Sequence, residues 1–418
     1  MSKIINFLES LINKEGEQIE EWLALKRAKK QPSIYSSVDL RHSGFKLAPV
    51  DTNLFPAGFN NLSQAAKARA VRFFSARFLE MTPAPKKILI VPENHTRNLG
   101  YLENLLVLSG LLEQAGMEVK IGNISITEKL ELTTMSGGII TEYPLEKSNG
   151  MIATLDGFQP DLVILNNDCT SGAPQILENI KQPIEPNYQM GWYARRKSEH
   201  FRAFDEIARE FAAEFNFDSW LISPISHRCG IVNFRESKGI ECVALGVEKV
   251  IHQLKRKYEE YGITEKPYAY IKADSGTYGM GIMTVESGDE LLEINKKTRN
   301  KMNVIKEGTQ NTEVIIQEGI PTIDKVDGSS AESMIYLVDA IPVGGAYRVN
   351  DERDNLSNLN ASGMRFVGMC DESECDEVAK TKIKIPDCNF HVFGLIATLA
   401  TLAASDEVYN SFDIGFSI

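Results

Sequence analysis

The apolar positions in the first half of the chain switch between strand spacing and helix spacing. The segments KKILIVPEN (86–94), MEVKIG (117–122) and PDLVILNND (160–168) are short apolar runs that end in or beside polar residues. Between the first two lies LENLLVLSGLLEQAG (102–116), a helical pattern that ends at Gly116. Strands that alternate with helices predict a parallel sheet, whose functional loops follow the carboxyl ends of the strands. Polar residues occupy those ends, either as functional groups or as turn formers: Glu93, Asn94, Asn166, Asn167 and Asp168.

The pattern differs on either side of this region. The first ~80 residues show two helical patterns around a loop-rich insert, SSVDLRHSGFKLAPVDTNLFPAGFNNL (36–62). From about residue 200, charged helices precede strand-like runs such as YAYIKA (268–273) and MIYLVDA (334–340). These predict an antiparallel sheet with helices. The fold class is therefore α/β with an α+β second half, divided at 1–80, 81–200 and 201–418.

Composition narrows the function classes. The 418 residues are 43% apolar and 24% charged, with a net charge of -12, as expected of a globular protein that is not a general nucleic-acid binder. Six irregularly spaced cysteines predict neither a zinc cluster nor a disulfide scaffold. The N-terminus does not look like a signal peptide, and the most apolar segment, VFGLIATLATLAAS (392–405), is too short for a membrane span. We expect a cytoplasmic protein without a membrane partner.

The stretch YIKADSGTYGMGIMTV (270–285) carries three glycines between two strand patterns. It fits neither a P-loop nor a dinucleotide-binding turn, because strand and not helix follows it. Lys272 ends the first strand and could bind phosphate, while a glycine hairpin lets backbone N–H groups approach phosphate closely. A structural hairpin is the alternative. The glycines of this hairpin are Gly276, Gly279 and Gly281.

Further motifs follow Lys272 in a particular order. The run EVIIQEGIPT places Gln317 and Glu318 at a strand end, and a later hairpin pattern ends near Arg348. A lysine strand, a glycine lid, a QEG hinge and a late arginine resemble the ATP-grasp fold. The resemblance implies that the hinge holds adenine, while lysines and arginine hold the phosphates of ATP and the transferring group.

One departure from that pattern concerns the metal ligands. The acidic-x-Asn motif that usually follows the arginine is absent there, but Asp51-Thr52-Asn53 occurs near the N-terminus. This order resembles the circularly permuted ATP-grasp of eukaryotic-type glutathione synthetase, with NLNASGM (358–364) as its late small-residue loop. Asp51 and Asn53 stand on alternate residues and could share one Mg²⁺, with Asp274 as a third ligand. Both aspartates could equally be turn residues.

The closest resemblance lies in SVDLRHSGFKLAPVDTNLFPAGFNNL (37–62), which resembles the small proteobacterial glutamate–cysteine ligase family. The lid IKADSGTYGMGI and the segment NLNASGMRF are also similar to that family. The resemblance implies that ATP phosphorylates the γ-carboxylate of glutamate and that the amine of cysteine attacks the acyl phosphate. The expected partners are thus ATP, glutamate and cysteine, with Mg²⁺ as the metal, and the chain could form a homo-oligomer.

The same resemblance implies roles for the regions and residues. Residues 1–80 would carry the substrate and metal loop, 81–200 the substrate domain, and 201–418 the nucleotide-binding region with a lid at 268–320. The catalytic residues would be Arg348, Lys272 and Arg41. The phosphates of ATP would bind to Lys238, Lys272 and the lid. The substrate would bind to Arg41, Lys46 and Asn360. Lys238 could instead form a surface ion pair.

Three other functions stay open. Glutathione synthetase or another carboxylate–amine ligase would use the same motifs, and a regulatory protein could bind nucleotide without catalysis. A cysteine hydrolase, suggested by His227 and Cys229 in SHRCG, is the least favoured, because residues so close in sequence rarely form a nucleophile–base pair.

Overall fold

The computed structural model describes residues 2–230, 232–275, 281–303, 312–369 and 389–413. Within these ranges the chain forms three β-sheets with helices packed between and around them. The helices are α1 Lys3–Lys29, α2 Gln64–Glu80, α3 Leu99–Gln114, α4 Lys197–Glu214, α5 Ile240–Tyr261, α6 Asp289–Leu292, α7 Lys296–Met302 and α8 Phe390–Asp413.

The predicted parallel sheet is confirmed within residues 87–185. Its strands are β3 Lys87–Pro92, β4 Glu118–Asn123, β5 Leu130–Thr133, β6 Ile139–Ser148, β7 Met151–Thr154, β8 Leu162–Asn166 and β9 Ile184–Glu185. The order is β5-β6-β4-β3-β8-β9, with β7 on β6, and the pairs β3–β4, β3–β8, β4–β6 and β8–β9 are parallel. Five of the six residues of β3 are buried, which explains its continuous apolar run.

A second sheet of six strands, called the large sheet below because it contains the longest strands at the site, pairs strands within residues 35–53 with strands within residues 325–369. Its strands are β1 Tyr35–His42, β2 Leu47–Asn53, β14 Lys325–Val326, β15 Ser329–Val338, β16 Ile341–Asn350 and β17 Met364–Met369. The order is β17-β16-β15-β1-β2, and all of these pairs are antiparallel. The predicted loop-rich insert is therefore wrong for residues 35–53, which form a β-hairpin. The polar residues of this hairpin give the sequence pattern of a loop. The strand that pairs with β1 is β15, which lies too far away in the sequence to leave a local signal.

The third sheet belongs to the second half of the chain. Its strands are β10 Ser226–Gly230, β11 Ala269–Ala273, β12 Ile282–Val285 and β13 Glu313–Glu318. They follow the order β10-β13-β11-β12 and are antiparallel, as the strand pattern predicted. α5 packs its apolar face on this small sheet, and the buried cluster includes Val247, Ile271 and Ile316.

The helices close the cores of the large sheet. α8 supplies Phe393, Ile396 and Leu399 to a buried cluster with α1, α4 and one face of the large sheet, which accounts for its apolar sequence. α2 packs against β15 and β16 from the other face. Along the described chain, no helix has both the length and the apolar content that crossing a bilayer would require.

Candidate functional site

A polar cavity lies between the large sheet and the small sheet. Its lining includes four basic and three acidic side chains, so that cations exceed anions by one. These charged residues are Arg41, Lys197, Lys272, Arg348, Asp39, Asp51 and Glu332. A larger cavity of about 1180 Å³ opens beside the start of α1, but its lining lacks this concentration of arginine, lysine and carboxylate groups. We therefore place the candidate site between the two sheets.

Two arginines and their acidic partners form one charged row on the large sheet. Glu332 and Arg348 are paired residues of β15 and β16, so their side chains lie on the same face. Arg348 Nη1 donates to Asp39 Oδ2 at 2.7 Å and to Glu332 Oε1 at 2.5 Å. Burial opposes the charge of Arg348, but the two acids outweigh it and raise its pKa. Arg348 Nε is buried and makes no hydrogen bond within the described chain, so that one donor remains for an anion.

Arg41 links the two sheets across this cavity. Its Nε donates to Glu332 at 3.0 Å, and Nη1 donates to the Tyr270 hydroxyl of β11 at 2.8 Å. Nη2 donates to the Ser357 carbonyl at 2.5 Å. The guanidinium therefore holds β1, β11 and the loop after β16 together, and a substrate carboxylate would have to share these donors. Asn360 of the same loop also lines the cavity, where the sequence predicted a substrate contact.

The predicted neighbours Asp51 and Lys272 lie in this same cavity. Lys197, the first residue of α4, donates from Nζ to Asp51 Oδ1 at 2.5 Å. Lys272 Nζ donates to the Val50 carbonyl at 3.1 Å and to Gln317 Oε1 at 2.6 Å. Burial lowers the pKa of Lys272 to about 8, although Asp51 acts in the opposite direction. For Asp51, the lysine charges outweigh burial and lower the pKa, so its carboxylate is ready to meet a cation.

The other two predicted metal ligands are engaged with protein donors. Asn53 Oδ1 accepts from the Phe55 amide at 2.9 Å, a turn contact at the end of β2. Asp274 is fully buried and accepts from the Ser198 amide and hydroxyl, each at 2.7 Å. Burial raises the pKa of Asp274 despite these donors. In the described part of the chain, no group of three His, Cys, Asp or Glu side chains could hold a metal ion.

Lys46 and Glu318 lie away from the cavity lining. They form an ion pair of 2.7 Å with 0% and 1% side-chain exposure. Burial lowers the pKa of Lys46 to about 8 and raises that of Glu318, although each partner opposes the shift of the other. Glu318 also accepts from Trp220 and from the Ile225 amide. The ammonium of Lys46 is enclosed with Glu318 and does not line the cavity, so its substrate contact stays a prediction that a substrate could meet only by displacing Glu318.

The remaining predicted phosphate contacts divide into two groups. Lys238 is 75% exposed, pairs with Glu236 at 2.8 Å and does not line the cavity, which favours the surface ion pair over a phosphate contact. Gly281 directly precedes β12 with a φ of +62°, a conformation that favours glycine. Gly276 and Gly279 lie outside the described residues.

The polar strand ends of the parallel sheet connect it to the hairpin of β1 and β2. Asn166 Nδ2 donates to the Pro56 carbonyl at 2.9 Å and to the Tyr35 hydroxyl at 3.2 Å. Asp168 accepts from the hydroxyl of Thr170 at 2.8 Å. The contacts of Asn166 hold the chain just after Asn53 against the parallel sheet.

Sequence reasoning missed several groups of the site. Lys197 opens a helix and belongs to no motif, so its contact with Asp51 left no signal. Asp39 and Glu332 could have been found, because Asp39 and Arg41 are alternate residues of one strand and Glu332 shares a hairpin with Arg348. Treating residues 36–62 as a loop prevented that inference.

Comparison with known proteins gives one extensive match. The sequence model of the family described as "Glutamate-cysteine ligase" matches residues 9–408. A crystal structure from Methylobacillus flagellatus KT, which carries the provisional name gamma-glutamylcysteine synthetase, is 38% identical with a TM-score of 0.88, over 98% of this chain and 97% of that one. No curated protein matches the sequence.

Two other solved structures are much less similar to this chain. D-alanyl-alanine synthetase A from Vibrio cholerae is 11% identical with a TM-score of 0.31, over 72% of this chain and 82% of that one. D-cycloserine synthetase DcsG is 10% identical with a TM-score of 0.34, over 76% and 82%. Both scores are too low to support an argument about this chain.

Proposed function

Because this chain belongs to the glutamate–cysteine ligase family and is an ATP-dependent ligase, we propose that the cavity between the two sheets is its active site. There ATP phosphorylates the γ-carboxylate of glutamate, and the amine of cysteine displaces phosphate from the acyl phosphate. The observation that carries this assignment is the convergence of Arg41, Arg348, Lys197 and Lys272 around Asp51. Phosphoryl transfer needs such positioned charge more than it needs covalent help from the protein.

Each cation suits a different part of the reaction. Lys272 and Lys197 flank Asp51, so we assign them to the phosphates of ATP. Arg348 has a buried Nε donor without a described partner, which suits the acyl phosphate and the oxyanion formed when the amine attacks. Asp39 and Glu332 hold the arginines in place before substrate arrives, so little reorganisation is needed during the reaction.

The residues also fit a role for Mg²⁺. Mg²⁺ is commonly held by one or two carboxylates together with substrate phosphates, and it neutralises the charge that develops in phosphoryl transfer. The side chain of Asp51 is 37% exposed, and its carboxylate already binds the ammonium of Lys197. This carboxylate can therefore bind a cation from the cavity. Asn53 and Asp274 stay candidate ligands, which would have to exchange their present donors.

The chain order supports a circularly permuted ATP-grasp. The hairpin that carries Asp51 joins the strands that carry Glu332 and Arg348, and the small sheet that carries Lys272 faces them. In this proposal the nucleotide lies between the large and small sheets, and β13 serves as the hinge. The parallel sheet at 87–185 would then form the substrate domain.

The decisive assay measures ADP release with different amine acceptors. We expect turnover with glutamate and cysteine together, and little with glutamate alone. ADP release driven by γ-glutamylcysteine and glycine instead would make the protein a glutathione synthetase. The hydrolase alternative lacks support, because burial, with Cys242 beside it, raises the pKa of Cys229 to about 12.

The metal assignment has its own test. Asp51→Asn should lower kcat and the affinity for Mg²⁺ together, and excess Mg²⁺ should restore part of the activity. Lys272→Ala should lose activity that Mg²⁺ does not restore, because its charge acts on phosphate. Equal rescue of both variants by Mg²⁺ would contradict these separate roles.

A further inference from the structure

The strand that carries Asp51 is held at its open edge by two cations. β2 is the edge strand of the large sheet, so its outward carbonyl groups have no strand partner among the described residues. Lys272 Nζ binds the Val50 carbonyl at 3.1 Å, and Arg195 Nη1 binds the Thr52 carbonyl at 2.6 Å. The pairing of β1 with β2 skips Val50, between the pairs Leu40–Pro49 and Asp39–Asp51, so these contacts flank Asp51 at a β-bulge. The two cations therefore fix the backbone on both sides of Asp51.

Arg195 is itself held in a rigid setting. It is 6% exposed, and its Nε and Nη2 donate to the two oxygens of Glu407 at 2.7 and 3.2 Å. His200 Nδ1 lies 2.6 Å from the same carboxylate. The guanidinium also stacks over the Trp192 ring, with 4.9 Å between its carbon and the ring centre. Glu407 of α8 and Trp192 thus hold Arg195 so that its Nη1 faces the backbone between Asp51 and Asn53.

We propose that Arg195 is a positioning residue of the ligase reaction, which fixes Asp51 and Asn53 for Mg²⁺ through the Thr52 carbonyl. This inference rests on the proposed metal role of Asp51. Arg195 does not line the cavity, so we expect it to act without direct contact with nucleotide or glutamate. Arginine is required because its planar fork serves both oxygens of Glu407 and still has a third nitrogen for Thr52, which an ammonium group cannot do in the same geometry.

Arg195→Lys tests the proposal because it keeps the charge and removes the fork. We expect the Mg²⁺ concentration for half-maximal activity to rise by about 10–100-fold, the range seen when a group behind a metal ligand is lost. The KM for glutamate should stay within about twofold. Binding of Mn²⁺ to the enzyme with a non-hydrolysable ATP analogue should weaken similarly in a calorimetric titration. Arg202→Lys is the matched control, since Arg202 lies exposed on α4, the helix that begins two residues after Arg195.

The outcomes separate the two levels of the argument. If Asp51→Asn weakens Mn²⁺ binding and Arg195→Lys does not, the positioning role is refuted while the metal site stands. If Asp51→Asn leaves Mn²⁺ binding unchanged, the metal assignment fails and the positioning role fails with it. Should Arg195→Lys not fold, Glu407→Gln takes its place, because it keeps an oxygen for Arg195 and should weaken Mn²⁺ binding in the same direction. Unchanged binding in a folded Glu407→Gln would then overturn the proposal.

Discussion

Replacing Lys46 by methionine would leave the carboxylate of Glu318 charged and enclosed. The two groups are 2.7 Å apart and almost fully buried, and the opposed pKa shifts show that burial outweighs their attraction. Removing one partner of a buried ion pair costs about 3–5 kcal/mol of unfolding free energy. We expect the Lys46→Met variant to lose about 3–5 kcal/mol of unfolding free energy near neutral pH. The loss should shrink at lower pH, where Glu318 takes up a proton and no longer needs a cation.

The double variant Lys46→Met/Glu318→Gln shows whether the charge or the packing matters. Neither new side chain is charged, and the glutamine oxygen can still accept from Trp220 and the Ile225 amide, so stability should return to within about 1–2 kcal/mol of the natural chain. Urea unfolding followed by tryptophan fluorescence suits the measurement, because the Lys46 ammonium lies 4.4 Å from the Trp220 ring. Lys257→Met is the control. Its ion pair with Asp218 is 28% and 26% exposed, so its loss should cost about 0–1 kcal/mol.

Kinetics of the same variants decide between structure and substrate binding. If Lys46 is structural, folded Lys46→Met keeps its KM for glutamate. The reasoning would be refuted by a KM for glutamate raised tenfold or more with an unchanged urea midpoint, because a substrate carboxylate would then be the partner that the lysine lost.

Three other outcomes follow from the ion pairs. Glu407→Gln should destabilise the fold by about 3 kcal/mol at pH 7, because Arg195 and His200 outweigh burial and lower the pKa of Glu407 to about 2. Urea unfolding at several pH values measures this loss. The difference in unfolding free energy between the natural chain and the variant should disappear as the pH falls from about 4.5 towards 2. Lys197→Ala should raise the KM for ATP by about tenfold in steady-state assays, whereas exposed Lys238→Ala should not change it. Arg348→Lys should lower kcat by roughly 10²–10³-fold, because an ammonium cannot replace the guanidinium fork, and a single-turnover assay would show the loss in the chemical step.

Local patterns predicted the elements that depend on local chemistry. β3 and β8 are apolar runs because both faces of a parallel sheet are covered, and the burial of Ile88 and Ile164 confirms that reason. The order of the motifs, and not their spacing, predicts that Asp51 and Lys272 share a site. No local rule relates residues so far apart in the sequence. The phosphate role of the lid glycines stays a prediction, and of the three only Gly281 lies within the described residues.

The failures share a physical cause, which is pairing between distant segments. β1 is polar along much of its length, but Asp39 and Arg41 are matched by charged residues of β15 and β16, so a polar strand is stable in the interior. A single lysine such as Lys46 gives the same sequence signal whether its partner is a substrate or a buried glutamate. Lys197 was missed for the same reason, because only the fold brings the start of a helix to Asp51.

The position of the first hairpin in the large sheet has a consequence for synthesis of the chain. Leu40 of β1 pairs with Ser333 of β15, so almost 300 residues separate the two partners. At roughly 5–20 residues per second, the ribosome needs about 15–60 s to deliver the second strand after the first. During that interval, β1 and β2 can form at most a hairpin without their neighbouring strand. Ligase activity should therefore appear only late in translation, and fragments that end before β15 should depend on chaperones to stay soluble.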